Sequence, residues 1–201
     1  MILYSFPISQ HSRRVVSLLE QAGIEYEVRV VDLAKGEHMS PAYLSVNPNH
    51  QVPTLVDGDI VIHESNAILR YLCLKFGLED WYPGDLILRA GVEQWLDWTQ
   101  CQQSPAVVGI VFNRVFMGEA GDQTAIAKGL EQMKSLNRIL EEALEGKQYL
   151  VGSKPTIADL ALASNIFHLG FANELPVSPN IQSWYDRISQ LHGFQKSLPP
   201  R

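Results

Sequence analysis

The stretch Asn49-His50-Gln51-Val52-Pro53-Thr54-Leu55-Val56, followed closely by Glu64-Ser65-Asn66-Ala67-Ile68, holds residue types that could bind a small peptide. The first part reads as a loop entering a strand. Proline lacks a backbone N–H, so Pro53 suits a strand entrance, an edge or a turn. A cis Val52–Pro53 bond would turn the backbone N–H and C=O of the preceding residue away from the sheet. An extended peptide could pair with those groups as an added strand. The second part opens a helix, with Ser65 as the expected N-cap and Ala67, Ile68, Leu69, Tyr71 and Leu72 after it. Free N–H groups at a helix start attract a carboxylate, and Glu64 beside them would attract an ammonium. Together the two parts suit one small peptide carrying a carboxylate, an ammonium and an amide.

The elements that must hold these residues alternate between strand and helix over residues 1–77. Met1 to Ser5 is a short apolar strand, and Phe6 to His11 a loop. Ser12 is a possible cap for a helix whose inner face carries Val15, Val16, Leu18, Leu19 and Ala22. Gly23 ends that helix. Glu25 to Val31 sets Tyr26, Val28 and Val30 against charged neighbours, as in a half-buried strand. Ser40-Pro41 starts a short helix with proline at its first position. Thr54–Val56 and Ile60–Ile62 are strands joined by Asp57-Gly58-Asp59, a hairpin signal. The helix from Glu64 closes near Phe76-Gly77. The order β-α-β-α-β-β-α predicts a small sheet with helices on its faces, the first two strands parallel and the last two an antiparallel edge.

Beyond Leu78 strand signals stop. Residues 78–85, with Trp81-Tyr82-Pro83-Gly84, read as a linker, and residues 86–201 as an all-helical domain. Leu86 to Phe116 predicts one long helix, kinked or broken at Pro105. Ile126, Leu130, Met133, Leu136, Leu140 and Leu144 recur at three and four, an amphipathic helix ended by Gly146. Thr156 and Asp159 form a capping box before a helix that is apolar nearly all round, which predicts a buried central helix. Ile181 to Leu191 is the last helix, and the tail 198–201 is expected to be loose.

Composition narrows the function classes. The 201 residues are 46% hydrophobic and 19% charged, as in ordinary globular proteins. Sixteen basic against 22 acidic residues give a net charge of −6, which argues against a nucleic-acid or anionic-membrane partner. Cys73 and Cys101 lie in apolar helical patterns with no C-x-x-C or zinc spacing, so buried free thiols and no metal are expected. The N-terminus enters a strand directly, so no signal peptide is expected, and no apolar run approaches the roughly 20 residues of a membrane span.

A thioredoxin-like unit followed by an all-helical one, with Val-Pro before a strand and Glu-Ser before a helix, resembles the cytosolic glutathione S-transferases over the whole chain. The theta-like branch is the most similar. Tyr4 to Val15 resembles its strand, S-Q-x-[SC]-R turn and helix. Asp32 to His38 is similar to its D-L-x-K-G-x-H segment, Trp95-Leu96-Asp97-Trp98 to its aromatic-L-x-W, and Thr156-x-x-Asp159 to the family's folding signature.

The resemblance implies a peptide, glutathione, as co-substrate and a small hydrophobic electrophile as its partner. Ser9 would donate a hydrogen bond to the glutathione sulfur, with Tyr4 and Ser12 as rivals. Bringing a thiol of pKa about 8.5 down two units needs roughly 2.7 kcal/mol. One charge-assisted hydrogen bond supplies about 1.5–3 kcal/mol and a helix start about 0.3–1 kcal/mol. Glu64 and Ser65 would hold the γ-glutamyl end, Val52 with a cis Pro53 the cysteinyl backbone, and His38 and Gln51 the glycyl carboxylate. Related sequences often carry lysine where Gln51 stands, so that end would be held more weakly. Arg13 would be structural, bridging the domains, and Trp98, Gln102 and Phe112 would line the electrophile pocket between them. The expected protein is a cytoplasmic homodimer that conjugates glutathione. An isomerase, dehalogenase or peroxidase on the same site, or a non-catalytic binding or assembly domain, is the alternative.

Overall fold

The computed structural model describes residues 1–200; Arg201, the end of the tail, lies outside the described residues. The chain divides into two units. One comprises Met1–Glu79 and the residues from Gln190 onward; the other is Asp80–Ser189. The final segment, grouped by sequence with the helical region, thus belongs to the first unit.

The first unit is built on four strands, β1 (Ile2–Ser5), β2 (Glu27–Val30), β3 (Thr54–Asp57) and β4 (Ile60–His63). Their order across the sheet is β2-β1-β3-β4. As expected, β1 and β2 are parallel and β3 and β4 antiparallel. Leu3 and Leu55 are register partners and fully buried on one face, each worth about 1.5–3 kcal/mol. The two 12-residue helices α1 (Gln10–Gln21) and α3 (Ser65–Phe76) pack together and bury Val15, Leu18, Leu19, Ile68, Leu69 and Leu72. The one-turn α2 (Pro41–Leu44) is capped by Ser40, whose hydroxyl accepts from the Tyr43 N–H. Alternation sends Tyr4 to the other face, where Val31, Tyr43 and Val52 form a small cluster against Tyr4, Phe6 and Leu33.

One strand departs from expectation. Every residue of β2 is exposed, with Val28 at 48% and Val30 at 57%, so it is not half-buried. It forms the sheet edge, and its alternation has no layer to bury against. The charges of Glu27 and Arg29 blunt that edge.

The second unit is helical: α4 (Leu86–Trp98), α5 (Ser104–Val111), α6 (Gln123–Ala143), α7 (Ile157–Gly170) and α8 (Pro179–Ser189). The long helix expected over 86–116 is not broken at Pro105. It runs on through two π-helical segments, Thr99–Gln103 and Phe112–Phe116. The first segment lies just before the proline, which is the second residue of α5. Gly129 lets α6 approach α5, since a Cβ there would lie 2.8 Å from the Ala106 carbonyl oxygen and 2.7 Å from Ile110. The expected linker residue Tyr82 is buried in this unit and donates to Glu93 at 2.6 Å.

α7 is buried along nearly its whole length and starts with the expected capping box. Asp159 accepts from Thr156 N, Thr156 Oγ1, Leu150 N and Trp184 Nε1 at 2.8–3.0 Å. Burial pushes this carboxyl above its usual range, against the pull of those four donors.

The chain then returns to the first unit as α9 (His192–Lys196), which packs on α1. Arg13, expected to be structural, holds this segment. Its guanidinium is buried, donates to Ser197 O at 3.0 Å and Ser197 Oγ at 3.3 Å, and lies 4.9 Å from the Phe194 ring centre. A Cβ on Gly193 would sit 2.1 Å from Ser17 O, so this approach of α9 to α1 requires glycine. Among the described residues no helix is long and apolar enough to cross a membrane.

Candidate functional site

The strand registers decide which loops share a neighbourhood. Tyr4 of β1 lies opposite Thr54 of β3, Thr54 opposite His63 of β4, and Ser5 of β1 beside Val30 of β2. One end of the sheet therefore gathers the exits of β1, β2 and β4 and the entrance of β3. The exit of β1 carries Ser9 and that of β2 leads to His38. The entrance of β3 carries Gln51, Val52 and Pro53, and the exit of β4 carries Glu64 and Ser65. All seven candidate residues of the first 77 lie on these four connections.

At the β1 exit the chain turns at once, with Ser9 N donating to Phe6 O at 2.9 Å. The helix cap is consequently Ser9, three residues before the expected Ser12. Ser9 Oγ accepts from Ser12 N at 3.3 Å. That leaves the Ser9 O–H proton free of this cap bond, on a half-buried side chain at the positive end of α1. Ser12 is fully buried, and its hydroxyl accepts from Phe6 N at 3.3 Å. Tyr4 Oη accepts from Arg29 Nη1 at 3.1 Å, beside β2.

At the β3 entrance the Val52–Pro53 bond is cis. The loop before it is fastened from below. The Gln51 carbonyl accepts from Tyr43 Oη and from Asn47 Nδ2, the latter at 2.9 Å, and Asn47 Nδ2 also reaches Thr54 Oγ1 at 3.0 Å. Val52 is 8% exposed, so its side chain anchors in the cluster with Tyr43 while Gln51 stays exposed. His38 is half-buried in a 3₁₀ turn, Glu37–Met39. Asp32 shapes that loop by accepting from the N–H groups of Ala34 and Lys35, and the Lys35 ammonium holds its carboxyl below the usual range.

At the β4 exit Ser65 is the first helical residue and not the N-cap. Glu64 occupies the cap position at φ 70°, ψ 110°, with no side-chain hydrogen bond to the helix. A non-glycine residue at positive φ stores of order 1–3 kcal/mol and is held there by its surroundings. The Ser65 hydroxyl is thus not used as a cap. It lies 3.5 Å from Arg14 Nη1, which also donates to Asn66 Oδ1 at 3.1 Å. Arg14 is fully buried, and burial lowers its pKa to about 9.

The remaining candidates belong to the second unit. Trp98 is half-buried, packs on the cluster of Ala106, Val107, Ile110 and Met133, and meets Trp95 edge-on at 5.2 Å. Gln102 is exposed within the first π segment, and Phe112, 50% exposed, opens the second. Among the described residues no group of three or more His, Cys, Asp or Glu could hold a metal ion.

Sequence reasoning passed over Arg14, Asn66, Tyr43 and Asn47 as supports. Arg14 had a signal, because it lies four residues before Leu18 and so shares the buried face of α1. Asn47 and Tyr43 had none, since their bonds depend on how the loop folds back.

Comparison with known proteins points in one direction. Residues 1–73 match the N-terminal domain of glutathione S-transferases, and residues 104–192 the C-terminal domain. The chain is 34% identical to a probable glutathione S-transferase, GSTF2, of Oryza sativa subsp. japonica, covering 98% of this chain and 94% of that one. It is 33% identical to glutathione S-transferase theta-1 of Homo sapiens, over 95% of this chain and 83% of the relative. The solved structure of human glutathione transferase theta-2, in complex with glutathione and an unknown ligand, superposes with a TM-score of 0.90 at 30% identity. That match covers 98% of this chain and 85% of the other.

Proposed function

The chain belongs to the glutathione S-transferase family, and from that premise we propose that it conjugates glutathione, its thiolate prepared by Ser9, to small hydrophobic electrophiles. The observation that carries this reading is the gathering of four connections at one sheet end, each with a group that suits one part of the tripeptide. The α3 start and the Ser65 hydroxyl suit the γ-glutamyl carboxylate, and Glu64 its ammonium. The Val52 backbone beside Pro53 suits the cysteinyl amide, and His38 and Gln51 the glycyl carboxylate.

Ser9 is favoured over its rivals on geometry. Its oxygen already accepts the Ser12 N–H, which polarises the O–H toward a thiolate. Ser12 is sealed and Tyr4 is engaged by Arg29. A bound thiolate then needs only placement near its electrophile, and most of the acceleration comes from those two effects. Trp98, Gln102 and Phe112 are assigned to contact the electrophile. A homodimer in the cytoplasm completes the proposal.

The test is the ultraviolet absorbance of the bound thiolate against pH, for wild type and Ser9→Ala. Wild type should titrate about two units below free glutathione. The variant should return most of that shift and lose about a hundredfold in kcat, while still binding to immobilised glutathione. An unaltered titration in Ser9→Ala would overturn the assignment. A panel of halide, epoxide, isothiocyanate and hydroperoxide substrates decides between conjugation and the other glutathione chemistries.

A further inference from the structure

The stretch between β2 and β3 is poor in charge. Across residues 31–53 the only Asp, Glu, Lys or Arg residues are Asp32, Lys35 and Glu37. The one cation among them is engaged. The Lys35 ammonium lies 3.0 Å from Asp32 Oδ2, while Asp32 Oδ1 accepts from the N–H groups of Ala34 and Lys35. Glu37 Oε2 accepts from the Asp32 N–H at 2.8 Å, which keeps a second carboxylate in the same loop. Two carboxylates and one ammonium leave the stretch with a net negative charge when its histidines are neutral. The next cation back along the chain, Arg29, is paired with Glu27 at 2.7 Å. The stretch also folds into one shelf. Val31, Tyr43 and Val52 pack in a single cluster. The turn Glu37–Met39 runs into the Ser40 cap of α2, and Tyr43 of that helix holds the Gln51 carbonyl. The Gln51 side chain is neutral and exposed. His38 Nδ1 is sealed without a hydrogen-bond partner, which leaves Nε2 as the ring nitrogen available to a ligand.

We propose that the glycyl end of the site does not select for a free carboxylate, and that the enzyme also takes tripeptide thiols whose glycine is amidated, including those extended by an amine. This rests on the glutathione reading given above and deepens it. A ligand paired antiparallel with the Val52 backbone sets its next residue, glycine, opposite Gln51. An extended chain advances about 3.5 Å per residue, so the glycyl carboxyl ends over the shelf. There the Gln51 carboxamide donates to a carbonyl oxygen and accepts from an amide N–H. An amidated glycine offers it both groups, whereas a carboxylate offers acceptors alone. The carboxylate gains no ion pair from residues 31–53 beyond what Lys35 already gives to Asp32, and it approaches a net negative surface. An ammonium carried beyond the amide meets Asp32 and Glu37 with attraction instead. These charges lie at the surface, so each effect is a few-fold one that fades with salt. Gln51 is a specificity-determining residue in this scheme, and the third residue of the thiol is read by hydrogen bonds and not by charge.

The experiment measures Kd by titration calorimetry for three thiols: glutathione, its glycyl carboxamide, and the glycyl amide carrying an aminopropyl chain. It uses the full-length wild type, Gln51→Lys and Glu37→Gln, at low salt and about pH 8, where an ordinary histidine is neutral. Wild type should bind the carboxamide, which matches the carboxylate in size, within about threefold of glutathione, and the aminopropyl amide about two- to fivefold more tightly than the carboxamide. In Gln51→Lys glutathione should gain about two- to fivefold over the carboxamide, and the aminopropyl amide should lose its advantage. Glu37→Gln keeps an oxygen to accept the Asp32 N–H and should roughly halve that advantage. A wild-type preference for glutathione over the carboxamide of more than about threefold would reveal a contact that reads the charge, and would overturn the proposal. An aminopropyl amide bound no better than the carboxamide would overturn it too. So would the same ratios in Gln51→Lys as in wild type, because Gln51 would then not face the glycine. A wild type that binds none of the three thiols would sink the underlying glutathione reading; one that binds glutathione and fails on these ratios sinks the glycyl-end proposal only.

Discussion

Two helix starts in this molecule make opposite use of the same backbone groups. At α7 the orphan donors are satisfied within the protein. Thr156 and Asp159 close a full capping box, and Asp159 also takes the Leu150 N–H and the Trp184 indole. At α3 the cap position is held by Glu64 at a positive φ, with no side-chain bond into the helix, and Ser65 leans on a buried guanidinium. The first start is finished by its own chain and serves folding. The second has no side-chain cap, and local rules of good helix building are broken there at an energetic cost. The contrast supports the proposal that the uncapped start of α3 receives the ligand while the capped start of α7 serves folding.

Four substitutions would break or sharpen that contrast. The largest effect is expected at the finished start. Asp159→Ala strands buried donors and should destabilise the protein by about 3–5 kcal/mol, read from denaturant unfolding. A loss below about 1 kcal/mol would show that the box is ornamental. Next come the paired hydroxyls. Ser65→Ala should raise the glutathione KM about tenfold to a hundredfold while changing stability by less than about 0.5 kcal/mol. Thr156→Ala should do the reverse, lowering stability by about 1–2 kcal/mol with KM unaltered. If both variants lose stability alike, the two starts do the same job and the distinction fails. The smallest effect is at Glu64→Gly. Relieving the positive φ should leave stability unchanged or raise it by about 1 kcal/mol, while glutathione binding weakens. A clear loss of stability would contradict the view that Glu64 is strained for the ligand's sake.

Much of the local structure around the proposed site was legible because it depends on a few neighbouring residues. A proline at a strand entrance, a Glu-Ser pair before an apolar helix and an Asp-Gly-Asp hairpin each have a meaning that depends on a few neighbours. What misread was the cap of α1. Ser9 and Ser12 are both good cap residues, and the choice followed from the turn that Ser9 N makes to Phe6 O, a loop geometry invisible in residue types. Ser65 was misjudged for a related reason, since the strain at Glu64 moves the helix start by one residue. The edge position of β2 and the two π segments around α5 were likewise decided by packing.

By itself the sequence determined the order of elements, the buried central helix with its Thr156–Asp159 box, and the groups proposed to meet a tripeptide. Periodicity and capping are properties of a few consecutive residues, so they survive without a partner. Only the tertiary structure decided that four connections share one end of the sheet, that the residues from Gln190 onward rejoin the first unit through Arg13 and Ser197, and that Arg14 is buried behind Ser65. Those depend on strand register and on contacts between residues far apart in the chain, where no short-range preference chooses the partner.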